Sequence, residues 1–376
     1  MEYILIIGAS EAIFLILLLL GKRNKSLPDL FLGIMFFLYA ISIGGTYIEM
    51  NNARNNFAHP ALINLSWMLL FLHGPALWFY IKGLSKPRFR FKPIFLLHFV
   101  PFLFFFVSHY FTFINLPVAE KIRLAENDLF KELVYYKVAV LAIGVSTITY
   151  NLWALRLIRL HRSNLMQNFS KIEYIDLAWL RTLVIASLIS YSVNVALFNL
   201  DLIFHLATYK FLMFLTYSFA SVYILVLGYF GLKQGNVFVD SPEKHRKLFD
   251  ATVKNKTTVT AEDAGNSFVN SLLSAMEKKQ PYLDPEITIF KLSELLNVKT
   301  EFLSEVLNSE LRQNFFDFIN GYRIAEFKNQ SIQKNNSHLS IMGIAYNCGF
   351  NSKASFYRAF RKFEGTSPSV YIESVS

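Results

Sequence analysis

Charge and cysteine are both scarce in this 376-residue chain. Charged residues make up 17% of it, whereas about 25% is usual in soluble globular domains. Cys348 is the only cysteine, which excludes an intramolecular disulfide framework and any zinc or iron–sulfur site built from several cysteines. Hydrophobic residues, by contrast, reach 53%, with 38 Phe and 19 Tyr, and the mean hydropathy is +0.35. This composition argues against disorder and against a simple soluble enzyme, and it indicates a lipid environment.

Seven apolar stretches are long enough to cross about 30 Å of hydrocarbon, which takes roughly 20 helical residues. We expect helices because lipid offers no partner for unpaired backbone groups. No basic residue precedes the first stretch and no small-residue cleavage site follows it, so we expect an uncleaved span rather than a signal peptide. The predicted spans lie near 2–21, 27–48, 62–84, 93–113, 133–157, 178–199 and 210–232. Turn-like, charged segments separate them at 22–26, 51–60, 86–93, 115–131, 159–176 and 201–209.

Lysine and arginine are distributed unevenly among the loops. The even loops and their flanks hold six, namely Arg54, Lys121, Arg123, Lys131, Lys137 and Lys210. The odd loops and their flanks hold thirteen: Lys22, Arg23, Lys25, Lys82, Lys86, Arg88, Arg90, Lys92, Arg156, Arg159, Arg162, Lys171 and Arg181. Because basic loops stay in the cytoplasm, this asymmetry predicts a multi-pass protein with its N-terminus outside. Seven spans then bring residues 233–376 into the cytoplasm.

A few polar residues within the predicted spans are candidates for sensing a signal: Glu11, His73, His98 and Asn194. A charged carboxylate in mid-span costs a few kcal/mol unless it is paired or protonated. The structural alternative is that the histidines bond to neighbouring helices and that Glu11 lies near the outer interface. The spacing of His73, His98 and His109 does not bring two of them together, so no metal site is predicted. No catalytic constellation and no cofactor motif is visible, and the chain is predicted not to be an enzyme.

The segment after the last span is polar. Residues 233–260, with Pro242 as a breaker, are predicted to form a linker. Residues 261–279 then predict an amphipathic helix, and Pro281 ends it. This helix could pack on the following module or pair with another chain, and packing is favoured. Its apolar face carries Phe268, Leu272, Leu273 and Met276 at helical spacing.

The last 96 residues contain two pairs of short helices, each pair joined by a tight turn. In the first pair, Thr288 and Thr300 are predicted to cap their helices. A long helix near 314–332 follows. In the second pair, Ser340 and Ser352 are the predicted caps, and the turn contains Gly349. Two helices joined by a three- to four-residue turn, often with glycine, form the helix-turn-helix of DNA-binding proteins. The helices are predicted from apolar residues that recur on one face of each: Ile289, Leu292, Leu296, Leu303, Val306, Leu307, Phe315, Ile319, Tyr322, Ile341, Ile344 and Ala345.

The last principal helix, about 353–363, separates an apolar face from a basic one. Phe356, Ala359, Phe360 and Phe363 form the apolar side. Cations on the exposed part of a capped helix are suited to phosphates and guanine edges in a major groove. A merely solvated basic helix is the alternative. Ser355, Arg358, Arg361 and Lys362 lie on or near the basic side.

Residues 344–368 read IAYNCGFNSKASFYRAFRKFEGTSP. They resemble the signature of AraC/XylS-type transcription regulators, I-A-x-x-x-G-F-x-S-x-S-x-F-x-R-x-F-K-K-x-x-G-x-S-P, and meet nearly every fixed position. Tyr371 matches the tyrosine that usually follows. The resemblance covers about 281–376, and with seven preceding spans the whole chain resembles the membrane-bound AraC-type regulators of some bacteria.

This resemblance implies two helix-turn-helix units on a connecting helix, with recognition helices at 301–308 and 353–362 that enter successive major grooves. The two halves differ in charge, since residues 281–326 carry a net −4 and residues 327–376 a net +4. Glu301 and Glu305 on the first recognition helix would repel phosphates, so we expect this unit to contribute shape or weak contacts. The DNA-binding residues implied are Thr300, Ser304, Asn308, Asn351, Ser352, Lys353, Ser355, Arg358, Arg361 and Lys362.

The sequence therefore predicts an all-α protein with three parts: a seven-span transmembrane sensor (1–232), a linker with an amphipathic helix (233–280) and an AraC-type DNA-binding domain (281–376). The predicted function is that of a one-component transcription regulator in the bacterial inner membrane, whose partners are promoter DNA, lipid, a second copy of the chain and an unidentified signal ligand or membrane partner. The alternative is a transporter or channel with a cytoplasmic regulatory tail, but Glu11 is nearly the only ionisable group at depth. A membrane sensor kinase is a third possibility, but the sequence shows neither a glycine-rich nucleotide site nor a phosphoacceptor histidine on a paired helix.

Overall fold

The computed structural model describes residues 3–85, 89, 91–172, 176–234, 265–333 and 338–375. Across these residues the protein is all-helical, with fifteen α-helices and no strand, which confirms the predicted fold class. The predicted linker lies outside the described residues from position 235 onward, and so do Lys86, Arg88, Arg90 and Lys334.

The chain divides into two compact units. Unit 1 comprises Met1–Arg159 and Leu177–Glu243, and unit 2 comprises Leu160–Asp176 and Lys244–Ser376. Of the predicted loop 159–176, residues 160–176 therefore belong to the same unit as the C-terminal module.

Unit 1 contains eight α-helices in its described part. Residues 93–99 form a 3₁₀ segment before the fourth helix, and a π-helical turn, Tyr110–Ile114, follows it. The helices are α1 (Tyr3–Gly21), α2 (Leu27–Arg54), α3 (Leu70–Ser85), α4 (Val100–His109), α5 (Val118–Glu126), α6 (Val134–Asn168), α7 (Ala178–Phe204) and α8 (Tyr209–Gln234).

Seven helical segments are long and apolar enough to cross a membrane, judged by length and composition. Their number and order agree with the seven predicted apolar helices. They are Tyr3–Gly21, Leu27–Arg54, Pro60–Ser85, Pro93–Ile114, Val134–Asn168, Ala178–Phe204 and Tyr209–Phe230.

Four of the segments predicted as turns are partly helical. Helix α2 continues to Arg54, α7 to Phe204, and α6 runs eleven residues past its predicted end, to Asn168. The segment 115–131 contains α5. The predictions ended each helix where apolar residues give way to polar ones. Leucine, arginine, methionine and glutamine are good helix formers, and α6 continues with them past Ser163 and Asn164 to Asn168.

Buried ion pairs hold the ends of several helices in unit 1. Asp29 accepts hydrogen bonds from the backbone and side chain of Ser26 at the start of α2, and the Lys22 ammonium lies 2.9 Å from its carboxylate. At another turn, Lys131 lies 2.8 Å from Asp201, a carboxylate that is 2% exposed. Pairing offsets part of the cost of removing these charges from water, and removal of one partner would leave the other charge buried and uncompensated.

Unit 2 is built around one long helix, α12 (Phe315–Ser331), which contributes to two apolar clusters. The first cluster receives Phe315, Phe318 and Ile319 from α12, and the second receives Ile324 and Phe327. The described helices are α9 (Gly265–Lys279), α10 (Ile289–Leu295), α11 (Thr300–Ser309), α12 (Phe315–Ser331), α13 (Ile341–Asn347), α14 (Lys353–Glu364) and α15 (Pro368–Val375).

Helix α9 is the predicted amphipathic helix, and it packs within its own unit. Leu272 and Met276 are fully buried in the first cluster, and Phe268 and Leu273 pack against it. This confirms the packing interpretation, since the apolar face of α9 covers α10–α12.

Candidate nucleic-acid interface

The second helix-turn-helix consists of α13, a turn around Gly349, and α14. The Ser340 hydroxyl caps α13 by accepting a hydrogen bond from the Gly343 amide at 3.0 Å, as predicted. Gly349 has φ +87°, a conformation that glycine adopts without the steric cost of a side chain. A Cβ at this position would lie 2.5 Å from the Tyr282 carbonyl oxygen. The turn therefore requires glycine because of both its backbone conformation and its close packing.

Helix α14 is capped at both ends. The Ser352 hydroxyl accepts a hydrogen bond from the Ser355 amide at 3.1 Å, which confirms the predicted N-cap. Gly365 ends the helix with φ +72°, the left-handed C-cap conformation common in proteins. Phe356, Ala359 and Phe360 are buried in the second cluster, so the apolar face is fixed against α12 and α13.

The opposite face of α14 is exposed and basic. Lys353, Arg358 and Arg361 are exposed, and the two arginines have no ion-pair partner among the described residues. Lys362 is 53% exposed, but its ammonium lies 2.6 Å from the Asp317 carboxylate. We therefore expect Arg358 and Arg361 to be available to phosphates or bases, whereas Lys362 must first give up a partner.

Two side chains of α14 lie elsewhere than predicted. Ser355 is only 7% exposed, so its side chain lies on the packed side of the helix, not on the basic face. Phe363 is 38% exposed and only borders the core. Asn351, in the turn before the helix, is exposed.

The first helix-turn-helix consists of α10 and α11. The Thr288 hydroxyl accepts a hydrogen bond from the Lys291 amide at 3.2 Å, as predicted for a cap. The prediction for Thr300 is wrong: the N-cap of α11 is Lys299, without a side-chain hydrogen bond. Thr300 lies inside the first turn, where its hydroxyl is 3.0 Å from the Ser293 hydroxyl of α10, so its side chain links the two helices and does not cap α11.

The exposed face of α11 carries acidic and neutral polar groups. Glu301, Glu305 and Asn308 are exposed, and Ser304 is half-buried. The Asn308 amide donates to the Ser304 carbonyl at 2.7 Å. This face has no basic side chain, so the charge contrast between the two recognition helices is present on the folded surface.

Arg323 of α12 connects three parts of unit 2. It is 2% exposed, and burial lowers its pKa to about 10, so the guanidinium stays charged at neutral pH. The guanidinium donates hydrogen bonds to the carbonyl oxygens of Tyr282 and Asp284, both at 2.8 Å. Its central carbon, Cζ, lies 5.7 Å from the Phe350 ring centroid. Because Phe350 belongs to the second helix-turn-helix and Tyr282 precedes the first, Arg323 links the two.

The third part is the segment that ends α6. We call residues 160–172 the docked segment. The Ser170 hydroxyl donates to the Ile287 carbonyl at 2.8 Å, and the Asn320 amide donates to the Ser170 carbonyl at 3.3 Å. Arg323 also reaches the Ser170 hydroxyl, at 3.4 Å. Leu165, Phe169, Ile172 and Phe316 form a buried apolar cluster. No local sequence pattern predicts these contacts, because they join residues more than 100 positions apart.

The four candidate sensing residues lie at three separate places in unit 1. His73 and Asn194 both line one cavity. His98 lies in an aromatic group, 4.6 Å from Trp78 between ring centroids, and bonds to the Tyr150 hydroxyl. Glu11 lies beside Gly228, where a Cβ would be 2.9 Å from its carboxylate. No cluster of metal-ligating side chains occurs among the described residues.

A known protein family matches this C-terminal geometry. A family model described as "Helix-turn-helix domain" matches residues 292–374, which run from within α10 to the last turn of α15. The chain therefore carries an AraC-type helix-turn-helix domain at its C-terminus, the kind of domain found in DNA-binding transcription regulators. The chain matches no curated protein and no solved structure.

Proposed function

We propose that the protein is a membrane-embedded, one-component transcription regulator. In this proposal unit 1 spans the bacterial inner membrane and receives a signal, and unit 2 binds promoter DNA in the cytoplasm. The observation that carries the proposal is the docked segment: the polypeptide of one apolar helix, α6, ends as a packed part of the DNA-binding unit.

DNA binding is supported by the exposed face of α14. A capped helix with two unpaired arginines and a lysine on one face matches the chemistry of the phosphate backbone and of guanine in the major groove. The acidic face of α11 contributes contacts of another kind, such as acceptance from a cytosine amino group by Glu301 or Glu305.

Membrane embedding and its orientation are supported by two independent features. The basic residues concentrate in the odd loops, which favours a cytoplasmic location for them. The docked segment, in the fifth loop, packs in one compact unit with α9–α15, and among the described residues two candidate spans, α7 and α8, lie between them in the chain. An even number of crossings returns the chain to the same side, as this packing demands.

Signal control is supported by the contacts of Arg323. This one side chain bonds to the docked segment and to the turn before α10, and it lies against Phe350 next to Gly349. A shift of the docked segment would therefore alter the support that both helix-turn-helix units share. A change of this kind couples two sites when each ligand favours a different arrangement of the same element.

The first test maps DNA bound by the full-length protein in cells, by crosslinking and sequencing. The variant is Arg358→Ala with Arg361→Ala, and the control is Lys278→Ala, which removes an exposed cation from α9. We expect discrete promoter peaks for the wild type and for the control, and their loss in the double variant. Peaks that survive in the double variant would contradict the role of α14.

A second test asks whether the docked segment affects DNA binding. We expect Phe169→Ala with Ile172→Ala, in full-length protein in nanodiscs, to change the affinity for a mapped promoter by about fivefold or more, corresponding to roughly 1 kcal/mol of coupling. Leu160→Ala is the matched control, because Leu160 is in the same segment but 50% exposed. An unchanged affinity in the double variant would remove the docked segment from the mechanism.

We also propose that two copies of the chain act together. Residues 233–376 carry a net charge of only +2, so a single module gains little from long-range attraction to DNA. Two modules held side by side raise each other's effective concentration at the promoter. Cross-linking in intact membranes checks this proposal, and a chain that is never trapped as a dimer would refute it.

A further inference from the structure

A cavity of about 190 Å³ lies among α2, α3, α7 and α8 of unit 1. A second cavity of about 40 Å³ shares Leu70, Tyr191, Asn194 and Thr216 with it. A protein cavity of about 150 Å³ is known to hold a benzene molecule, so the two together have room for roughly eight to ten non-hydrogen atoms. The space is therefore sized for a small molecule, not for a lipid with two chains.

One wall of the cavity is a hydrogen-bonded polar group. His73, 3% exposed, lies between the Ser42 hydroxyl, 3.1 Å from Nε2, and the Tyr191 hydroxyl, 3.0 Å from Nδ1. The Tyr39 hydroxyl lies 3.4 Å from that of Tyr191, and the rings of Tyr39 and His73 are 4.4 Å apart. These bonds fix three lining side chains in place, so this wall is preorganised.

Hydrogen-bonding capacity remains at two further lining residues. The Asn194 oxygen accepts from Thr216 at 2.8 Å, and its nitrogen donates to the Ser190 carbonyl at 2.9 Å. An amide nitrogen has two hydrogens, so one is left over. The Tyr223 hydroxyl is buried without a hydrogen-bond partner among the described residues. A buried polar group without a partner costs free energy, and a ligand oxygen would relieve that cost.

The other lining residues indicate the charge of the ligand and its route of entry. None of the described residues that line the two cavities is Asp, Glu, Lys or Arg, so a charged ligand would be buried there without a counter-charge, which is strongly unfavourable. Phe219, Val222 and Val226 line the larger cavity and are 44%, 47% and 37% exposed. The cavity thus opens along the outer surface of α8, which faces lipid in the proposed arrangement.

We propose that this cavity binds a small, neutral, membrane-soluble amphiphile with one hydroxyl or carbonyl group, which reaches it sideways from the bilayer. This inference rests on the proposed function, because it names the class of signal that unit 1 would receive. The polar end bonds to Asn194 and Tyr223, and the apolar part of about eight carbons fills the space between α7 and α8.

The test uses photolabelling of the full-length protein in nanodiscs. The probes are a six-carbon alcohol that carries a diazirine, so that the added nitrogen atoms keep the probe within the size of the cavity, and the matching hydrocarbon without the hydroxyl. We expect the alcohol to label peptides of α7 and α8, in competition with unlabelled octanol. We expect its labelling to exceed that of the hydrocarbon by about fivefold or more, since one hydrogen bond alone contributes about that factor.

Two matched variants locate the site. Ser190→Phe places a ring where a lining side chain stands, and Ser192→Phe places the same ring two residues away, on the exposed side of α7. We expect labelling to fall about tenfold or more in the first, because a filled cavity excludes the probe, and to be unchanged in the second. Equal labelling in both variants would overturn the proposal. Equal labelling by both probes would overturn it too, since the cavity would then hold an ordinary acyl chain.

Binding is measured here without DNA, so the result is separate from the proposed function. Absent labelling together with intact promoter binding would refute the cavity ligand and leave the regulator. Specific labelling without promoter binding would refute the regulator and leave the cavity ligand. If specific labelling and promoter binding are both observed, we expect added octanol to shift the promoter affinity of the wild-type protein and to leave the promoter affinity of Ser190→Phe unchanged.

Discussion

Gly349 and Gly365 both adopt left-handed backbone conformations, with φ +87° and +72°, yet only Gly349 is enclosed. A Cβ at Gly349 would lie 2.5 Å from the Tyr282 carbonyl and 2.9 Å from that of Leu283, whereas a Cβ at Gly365 would meet nothing within 4 Å. The two glycines therefore separate the cost of backbone conformation from the cost of packing.

We expect Gly365→Ala to lower the free energy of unfolding of unit 2 by about 1–2 kcal/mol, the cost of a left-handed alanine. Gly349→Ala should lower it by about 1–3 kcal/mol more, because the methyl group must displace packed backbone. Hydrogen exchange of unit 2 amides in the full-length protein measures both. Equal losses would mean that the turn can move away from Tyr282 freely.

The cations of α14 are expected to contribute unequally to DNA affinity. Arg358→Ala and Arg361→Ala should each lower the dependence of log affinity on log salt by about one unit, the value for one phosphate contact. Lys362→Ala should have a smaller effect, because the Lys362 ammonium is paired with Asp317 at 2.6 Å. Titrations of full-length protein with promoter DNA at several salt concentrations measure these slopes. If Lys362→Ala lowered the slope by a full unit, the expected order of the three cations would be wrong.

Cys348 is expected to be chemically silent in the folded protein. It is fully buried, and burial raises the pKa of its thiol to about 12. Because the thiolate is the reactive form and appears only as the pH rises towards that value, we expect no modification by maleimide near neutral pH until the protein is denatured. Rapid labelling of native protein, followed by mass spectrometry, would show instead that unit 2 opens.

At the scale of the helix, the docked segment is the element whose stability depends on distant residues. Phe169→Ala removes a buried ring from its apolar cluster, and we expect faster hydrogen exchange across residues 160–172 and at the start of α10. A buried Phe→Ala change costs about 3–5 kcal/mol in a packed core. Leu160→Ala, at an exposed position of the same segment, is expected to leave exchange unchanged. Equal exchange in the two variants would mean that the cluster does not hold the segment.

The apolar helices could be predicted from the sequence because length and composition are local properties. The same holds for Thr288, Ser340 and Ser352, whose hydroxyls bond to amides three residues away. Local patterns failed where a distant partner decides the outcome: Thr300 bonds to Ser293 of the preceding helix instead of capping its own.

The candidate site was predictable to a similar degree. Helical periodicity identified the basic face of α14, and Arg358 and Arg361 are exposed on it. Periodicity could not reveal that Lys362 is paired with Asp317, 45 positions away. It also misplaced Ser355, because a residue at the edge of a helix face is buried or exposed according to the neighbour it meets. The cavity beside His73 and Asn194 depends on helices more than 100 residues apart in sequence, which no spacing rule brings together.

At the scale of the whole molecule, orientation can be tested with single cysteines, since Cys348 is the only native one and is buried. Asn127 follows α5 in the fourth loop and Ser163 lies near the end of α6, and both are exposed. We expect a membrane-impermeant maleimide to label Asn127→Cys in intact cells and Ser163→Cys only after permeabilisation. The opposite pattern would invert the proposed topology, and labelling of both in intact cells would contradict membrane embedding.

The ending of α6 within the DNA-binding unit has a consequence for where a gene can be regulated. In the proposed arrangement the regulator never diffuses through the cytoplasm, so the search for the target depends on motion of the chromosome. A promoter far from the envelope would meet the protein rarely, however tight the contact. Gene position, and events that draw DNA to the membrane, would then enter the response as directly as affinity does.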